Sequence, residues 1–520
     1  MTTNLKYIFC IFTLLNSFML VSCSLDENPA DQVEEERVYT SSKAIYQHAV
    51  AALYGYVGGN ADGQGLQGTS RGVYDLQTFG SDEAIMPTRG VDWYDSGMWQ
   101  DLYFHSWNAD HEIVKNAWLY LYKVVALCNR SLEIIDRHRD LLSMMEYNQY
   151  TAEVRALRAI YYWYLLDLFG NVPIVTSTEV SMNNVKQSTR PEVFTFIENE
   201  LKDVVHYLPT DRSNEKGILY GRTTVPVITF VLAKMYLNAE VYEAGEHWND
   251  VISTCDIIRQ LGYRLSANYS DNFLVNNENS VENIWTIPMD RTLYGNYQHN
   301  MARSMHWRHA DAIGYVGENG SSATLTVLRV NHFEEEDEDK RFPENYWGSF
   351  AYDQNSLRVR DRNGDLLQYA PWEVRYDMKG SPYLETAGAR MHKYQLDWDA
   401  NHTGDLINND IVLFRYADVL LMIAESKVRM GQSGQVELDL VRERARMPSI
   451  DATLDNIYDE RLRELAWEGW RRNDMIRFGR YKSEAIPNMR VDESDGHTAL
   501  FPIPSYAMDT NPNLVQNPGY

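Results

Sequence analysis

The chain has 520 residues, 44% of them apolar and 23% charged, with a formal net charge of −25. That length admits two to four domains or one long helical array, and is ample for a buried core. The negative charge argues against phosphate binding, which needs clustered Lys and Arg, so no nucleic-acid partner is expected; it also argues against docking of the protein surface on anionic lipid. The chain carries 35 Tyr and 13 Trp against 16 Phe. Tyr and Trp join a flat apolar face to a polar tip, which suits surfaces that bind amphipathic partners such as sugars or peptides. Half-buried Tyr on long helices is the plainer alternative.

The first element is an address. Lys6 supplies a positive start, Tyr7 to Leu20 is an apolar run too short to span a bilayer, and Leu20-Val21-Ser22-Cys23 has the form of a bacterial lipobox. Residues 1–22 are therefore expected to be a lipoprotein signal peptide, with Cys23 the acylated N-terminus. Each buried methylene contributes about 0.8 kcal/mol, so several acyl chains anchor stably in a membrane. Residues 23–40, beginning Ser24-Leu25-Asp26-Glu27 after the Cys, are polar and acidic, and are expected to form a disordered tether. Residues 41–520 are expected to form a single domain. Its helical scaffold is expected at about 41–58, 109–262 and 411–520, and its loop-rich ligand region at about 59–108 and 263–410.

Within residues 59–108 Trp93, Tyr94, Trp99, Tyr103 and Trp107 cluster without a lasting helical stripe. A helix follows, because Val114, Trp118, Leu121, Val125, Cys128, Leu132 and Ile135 recur at steps of four and three and share one face. A second carries Leu157, Ile160, Tyr161, Tyr164, Leu165 and Leu168, and is expected to stop at Gly170 and Pro173. Thr189 and Glu192 have capping-box spacing. Thr224 to Tyr242 and the stripe Trp248, Val251, Ile252, Cys255, Ile258 form a helical hairpin whose Leu232-Ala233 and Tyr236 are similar to the first helix of a tetratricopeptide repeat. Cys128 and Cys255 fall on these stripes and are expected to be buried free thiols.

Residues 263–410 are rich in Asn, Gly, Asp and aromatics. Tyr294, Tyr297, Trp307 and Tyr315 form the second aromatic cluster, and Asn363-Gly364 reads as a hairpin turn. His299, His306 and His309 lack partners at a metal-ligand spacing and are read as a metal-free surface loop. The six acids from Glu334 to Asp339 are read as a solvated loop. After them come a buried helix with Ala417, Leu420, Leu421 and Ala424, and a last long helix from Leu454 to Phe478. Arg461, Glu464, Glu468 and Arg471 lie three, four and three apart and are read as a structural charge seam, not as a catalytic carboxylate pair. Gly469 inside that helix implies close approach of another element, such as a ring.

Taken in order, these motifs resemble the SusD/RagB family of outer-membrane glycan-binding lipoproteins. The resemblance runs through the lipobox, Trp118-Leu119-Tyr120 to Asn129, Arg155-Ala156-Leu157-Arg158-Ala159 and Leu168-Phe169-Gly170-Asn171-Val172-Pro173. It continues through Asp339-Lys340-Arg341-Phe342, Lys393-Tyr394, Phe414-Arg415-Tyr416-Ala417-Asp418-Val419, Glu468-Gly469 and Asp474-Met475-Ile476-Arg477-Phe478-Gly479, and ends at Phe501-Pro502-Ile503-Pro504 and Asn517-Pro518-Gly519-Tyr520. Ala445-Arg446-Met447-Pro448 departs from the family's usual Gly.

The resemblance implies a mainly α fold: about four tetratricopeptide-like helix pairs with long irregular loops and a few short strands. It implies an outer-membrane location, with the lipid-anchored domain facing the cell exterior. It implies ligand capture without bond cleavage, no cofactor, and a SusC-like TonB-dependent transporter as partner. Trp93, Tyr94, Trp99, Tyr294, Tyr297, Trp307 and Tyr315 are the expected carbohydrate platforms, because flat rings cover the C–H faces of pyranoses; rings that merely pin their loops are the alternative. An oligopeptide ligand is the second functional reading and a helical glycosidase the third.

Overall fold

In the computed structural model residues 35–59, 63–293, 298–399, 407–482 and 495–520 are described; Cys23, Tyr294 and Tyr297 lie outside them. About 48% of the chain is helical, so the fold is mainly α, as expected. One helical turn, Glu35–Val38, lies within the stretch expected to be tether.

The scaffold is a succession of helices, each packed on its chain neighbour. A six-residue π-helix, Tyr46–Ala51, leads into α1 (Ala52–Gly58). Then come α2 (Glu112–Arg137), α3 (Met144–Phe169), α4 (Arg190–Val204), α5 (Val225–Leu237) and α6 (Trp248–Gln260). The C-terminal part adds α7 (Tyr416–Arg429), α8 (Gln435–Arg444), α9 (Leu454–Glu464) and α10 (Arg471–Arg477). α2 packs on α3, α3 on α4, α5 on α6, α6 on α7 and α7 on α8. On α2 the stripe Val114, Trp118, Leu121, Val125, Cys128 and Ile135 is buried, and Leu132 is half-buried at its edge. Cys128 and Cys255 are buried free thiols, and burial pushes the Cys128 thiol up to about 12.

Local signals set the helix ends. The Ser143 backbone N–H donates to Glu146 Oε2 at 2.9 Å, and that of Thr189 to Glu192 Oε2 at 2.8 Å, each leaving fewer orphan donors at a helix start. Gly170 ends α3 at φ 74°, and its N–H returns to the Leu166 carbonyl.

The loop-rich part contributes strand β1 (Asn283–Ile287), which pairs antiparallel with β2 (Ile411–Arg415) immediately before α7. Both strands are wholly buried. The loop-rich stretches also contain short helices, including Val73–Thr78, Met98–Phe104, His299–Ser304 and Trp307–Ala312.

The expected helix from Leu454 to Phe478 is broken. α9 ends at Glu464 and α10 begins at Arg471, with Trp467 (φ 62°) and Gly469 (φ 75°) left-handed between them. A ring does lie against Gly469, since a Cβ there would sit 3.3 Å from Tyr74. The break turns the charged residues toward partners far away in the chain. Glu464 meets Arg341 at 2.7 Å, Arg415 at 2.5 Å and Arg444, while Glu468 meets Lys393 at 2.8 Å and Arg415 at 2.9 Å. Arg461 pairs with Asp418 and Asp474 at 2.8 Å each, and Arg471 with Asp82 at 2.6 Å. The charge seam is therefore structural, as expected, but its bonds join separate segments instead of running along one helix.

Burial alone would raise the Glu464 carboxyl. The guanidinium groups of Arg444, Arg415 and Arg341 overcome that and hold it well below its ordinary range. Glu464→Gln leaves three buried cations short of a counter-charge, and is expected to destabilise the protein by about 3–5 kcal/mol in urea unfolding. Because the native carboxyl resists protonation more than the unfolded one, its stabilisation is complete above about pH 4.5 and is lost as the pH falls further. In the Glu464→Gln protein this part of the acid dependence is expected to vanish.

Candidate functional site

The two aromatic clusters do not share one fate. Trp99 and Tyr103 are 1% exposed, Trp107 4% and Tyr315 5%, whereas Tyr94 is 54% exposed and Trp93 and Trp307 are half-buried. Trp99 and Tyr315 are thus corrected from platforms to supports. The Tyr315 hydroxyl donates to the Asp397 carbonyl at 3.1 Å and accepts from the Asp397 N–H at 2.7 Å. Trp107 Nε1 donates to the Tyr520 hydroxyl. A buried ring with its polar tip satisfied is a packing element.

Trp93 is held from three sides. Its Nε1 donates to the Glu318 carbonyl at 3.1 Å. Its ring lies against Gly320, where a Cβ would come within 2.7 Å of the indole. Beneath it Trp99 makes an edge contact at 6.2 Å between ring centroids. Trp99 in turn donates to Asp95 Oδ2 at 2.9 Å and packs on Phe79, and the Arg303 guanidinium lies over both rings while paired with buried Asp75 at 2.7 Å. Trp93 (φ 61°), Asp95 (φ 41°) and Ser96 (φ 55°) all adopt left-handed backbone. Such conformations cost about 1–3 kcal/mol each in side-chain-bearing residues and concentrate at functional sites.

Loop 314–320 forms the facing wall. The Glu318 N–H donates to the Ala302 carbonyl, Asn319 to Met305 and Gly320 to Arg303, so the loop is stitched to helix His299–Ser304. Glu318 Oε2 is 3.1 Å from His299 Nε2. Burial would raise this carboxyl; the bond to His299 and the nearby Arg303 charge reverse the effect and hold it below its ordinary range. The same loop touches the start of helix Trp307–Ala312, since a Cβ at Gly317 would meet Ala310 and the Met305 carbonyl. Trp307 is capped by Arg362, whose guanidinium lies 5.2 Å from its ring centroid. Arg362 comes from the expected hairpin, with Gly364 at φ 88° and Arg360 bridged to Leu366.

The histidine expectation needs correcting. His306 and His309 are buried, and burial pushes them down to about 3 and 4. Asp339 also leaves the solvated acidic run, being buried against Arg341 at 2.7 Å. Among the described residues His332, Glu335 and Asp337 stand close enough together to hold a cation.

Sequence reasoning missed exposed aromatics in the same loop-rich part. Trp398 is 53% exposed beside the Tyr315–Asp397 anchor, and Trp372 is 40% exposed with its Nε1 bonded to Glu334. No periodicity marks them. The polar rim of Glu318 and His299 was equally silent.

The comparisons with known proteins bear on what this frame is. The family model described as the SusD family matches residues 260–520, and one described as starch-binding, associating with the outer membrane, matches residues 70–237. The chain belongs to the SusD family. It is 26% identical over 410 residues to the starch-binding protein SusD of Bacteroides thetaiotaomicron, covering 71% of this chain and 72% of that one. It is also 26% identical to SusD-like protein P25 of Formosa agariphila, with 98% and 97% covered. Among solved structures it superposes on a laminarin-binding SusD-like protein with a TM-score of 0.72 at 21% identity, covering 92% of this chain and 100% of the other. Surface glycan-binding protein A of Bacteroides thetaiotaomicron, in complex with laminarihexaose, gives 0.71 at 21%, covering 92% and 99%. The relatives named here for starch and laminarin are named as binding proteins. No helix among the described residues is long and apolar enough to cross a membrane.

Two outcomes follow from this geometry. Gly320→Ala forces the Trp93 indole off its seat, so a red shift in tryptophan emission is expected, with a loss of about 1–3 kcal/mol from overpacking. His306 and His309 are harder to protonate when native than when unfolded. Their contribution to stability is therefore complete above about pH 6.5 and lost as the pH falls toward 4. Amide exchange in residues 305–312 should accelerate over that interval beyond its intrinsic pH dependence, and His309→Phe should blunt the change.

Proposed function

We propose that the chain is a surface glycan-binding lipoprotein. It is anchored in the outer membrane through Cys23, faces the cell exterior, and passes captured oligosaccharide to a SusC-like TonB-dependent transporter. The observation that carries the binding reading is the half-exposed Trp93 indole, rigidly seated on Gly320 and bonded to the Glu318 carbonyl beside exposed Tyr94. A pyranose presents C–H bonds on its faces and hydroxyls at its rim. The rings of Trp93, Tyr94 and Trp307 suit the faces, while Glu318, His299 and Arg362 suit the rim. Tyr294 and Tyr297 stay in the proposal on sequence grounds. Fixing the ring before the ligand arrives removes an ordering cost that a mobile side chain would incur on binding. By analogy with aromatic pairs each platform contributes about 0.5–1.5 kcal/mol beyond burial, and two or three give the modest affinity that a hand-off requires.

The relatives named above for starch and laminarin supply the first ligands to try. In native gels containing starch, laminarin or another polysaccharide, at least one is expected to retard the protein, and Trp93→Ala is expected to weaken that binding about tenfold or more. Absence of retardation by every polysaccharide, with peptide found by mass spectrometry in the native complex, would replace this reading by oligopeptide capture.

A further inference from the structure

A second cavity lies on the helical scaffold and shares no residue with the Trp93 surface. It encloses about 460 Å³ between the π-helix and α1, the turn 217–222 and the end of β1. Small-molecule sites usually enclose about 300–1,000 Å³. Tyr46, Tyr54 and Tyr220 supply aromatic wall, and Arg222 lies 4.7 Å from the centroid of the Tyr46 ring. π-Helical turns are rare and recur at functional sites; this one carries Tyr46 at its start and Ala51 at its end, both lining the cavity.

The floor is left open by glycine. Gly55 sits in α1, exposed, and a Cβ built on it meets nothing within 4 Å. Glycine inside a helix costs about 1 kcal/mol relative to alanine. No packing constraint requires glycine here, and a longer side chain would occupy the cavity.

The charges select the ligand class. Arg222 is bonded to the buried Glu153 carboxylate through Nε at 3.1 Å and through an Nη, and to the Ile218 carbonyl at 2.9 Å. Its charge is therefore matched, yet a guanidinium has five N–H donors, and two remain for a ligand. Among the described residues the Tyr46 hydroxyl likewise makes no hydrogen bond. On the opposite wall the Tyr220 hydroxyl donates to Asp410 at 2.6 Å. Burial raises the Asp410 carboxyl to about 7, which reduces the negative charge behind that wall. An anion would find no net positive charge here. Tyrosine rings in the wall, spare donors and a matched field fit a neutral polyol.

We propose that this cavity is a second saccharide subsite, taking one or two rings of a neutral sugar. The ligand class rests on the glycan-binding reading above; the location does not. The test uses the full-length chain in detergent and equilibrium dialysis against radiolabelled maltose, cellobiose and laminaribiose in turn. The background is Trp93→Ala with Tyr94→Ala, which disables the first surface. That double variant is expected to bind at least one of the three, and adding Gly55→Gln is expected to weaken this binding about tenfold while the melting temperature holds or rises. Tyr46→Leu provides a second, independent loss. The proposal is overturned if the double variant binds none of the three, or if both added changes leave binding within about twofold. Failure of the Trp93 surface reads out separately, as polysaccharide retention that Trp93→Ala does not alter.

Discussion

The fold depends on a buried lattice of charge between parts of the chain that lie far apart in sequence. Arg415, at the end of β2, reaches Glu282 before β1, Glu464 at the end of α9 and Glu468 in the break before α10. Arg341 brings in the middle loops through Glu460 and Glu464, at 2.8 and 2.7 Å. A second set joins α5, α7, α9 and α10 through Lys234, Asp418, Arg461, Asp474, Arg477 and Glu425. Each ion taken alone would be costly to bury; together they neutralise one another and tolerate few arrangements. Removing one member would leave its partners buried without a counter-charge, so the pairing between these segments is narrowly constrained.

That pairing is what lets long loops present a rigid surface. Arg390 and Arg89 extend the principle upward with carbonyls in place of carboxylates. Arg390 donates to the Glu385 carbonyl at 2.8 Å and to Ser321 at 3.3 Å, and Arg89 to Leu384 at 2.8 Å and Ala387 at 2.9 Å. Burial lowers both groups, Arg390 to about 10, and backbone dipoles stand in for much of the missing counter-charge. Through Ser321 this cage adjoins Gly320, the seat of Trp93. The strained backbone at Trp93, Asp95 and Ser96 is affordable because the segments around it are so firmly tied.

The scaffold was legible from spacing. Apolar steps of three and four placed α2, α3 and α6, and the Thr189–Glu192 box and Gly170 marked helix ends with a direct mechanism. The break at 465–470 was not legible, because its residues keep helical spacing while Trp467 and Gly469 turn left-handed under tertiary packing against Tyr74. Composition singled out two aromatic-rich stretches but did not sort Trp93 from Trp99, nor Trp307 from Tyr315, by exposure. In an irregular segment no period separates an inward ring from an outward one.

The order of residues alone therefore determined the helical class, the family resemblance, the buried thiols and the structural character of the charged seam. These follow from local periodicity, capping chemistry and charge spacing, all of which act over a few residues. Tertiary structure decided which carboxylate meets which guanidinium, which aromatics face solvent, and that glycine leaves a second cavity open beside Tyr46. Those outcomes depend on contacts between segments hundreds of residues apart, where burial and charge compensation are settled by the whole assembly of helices at once.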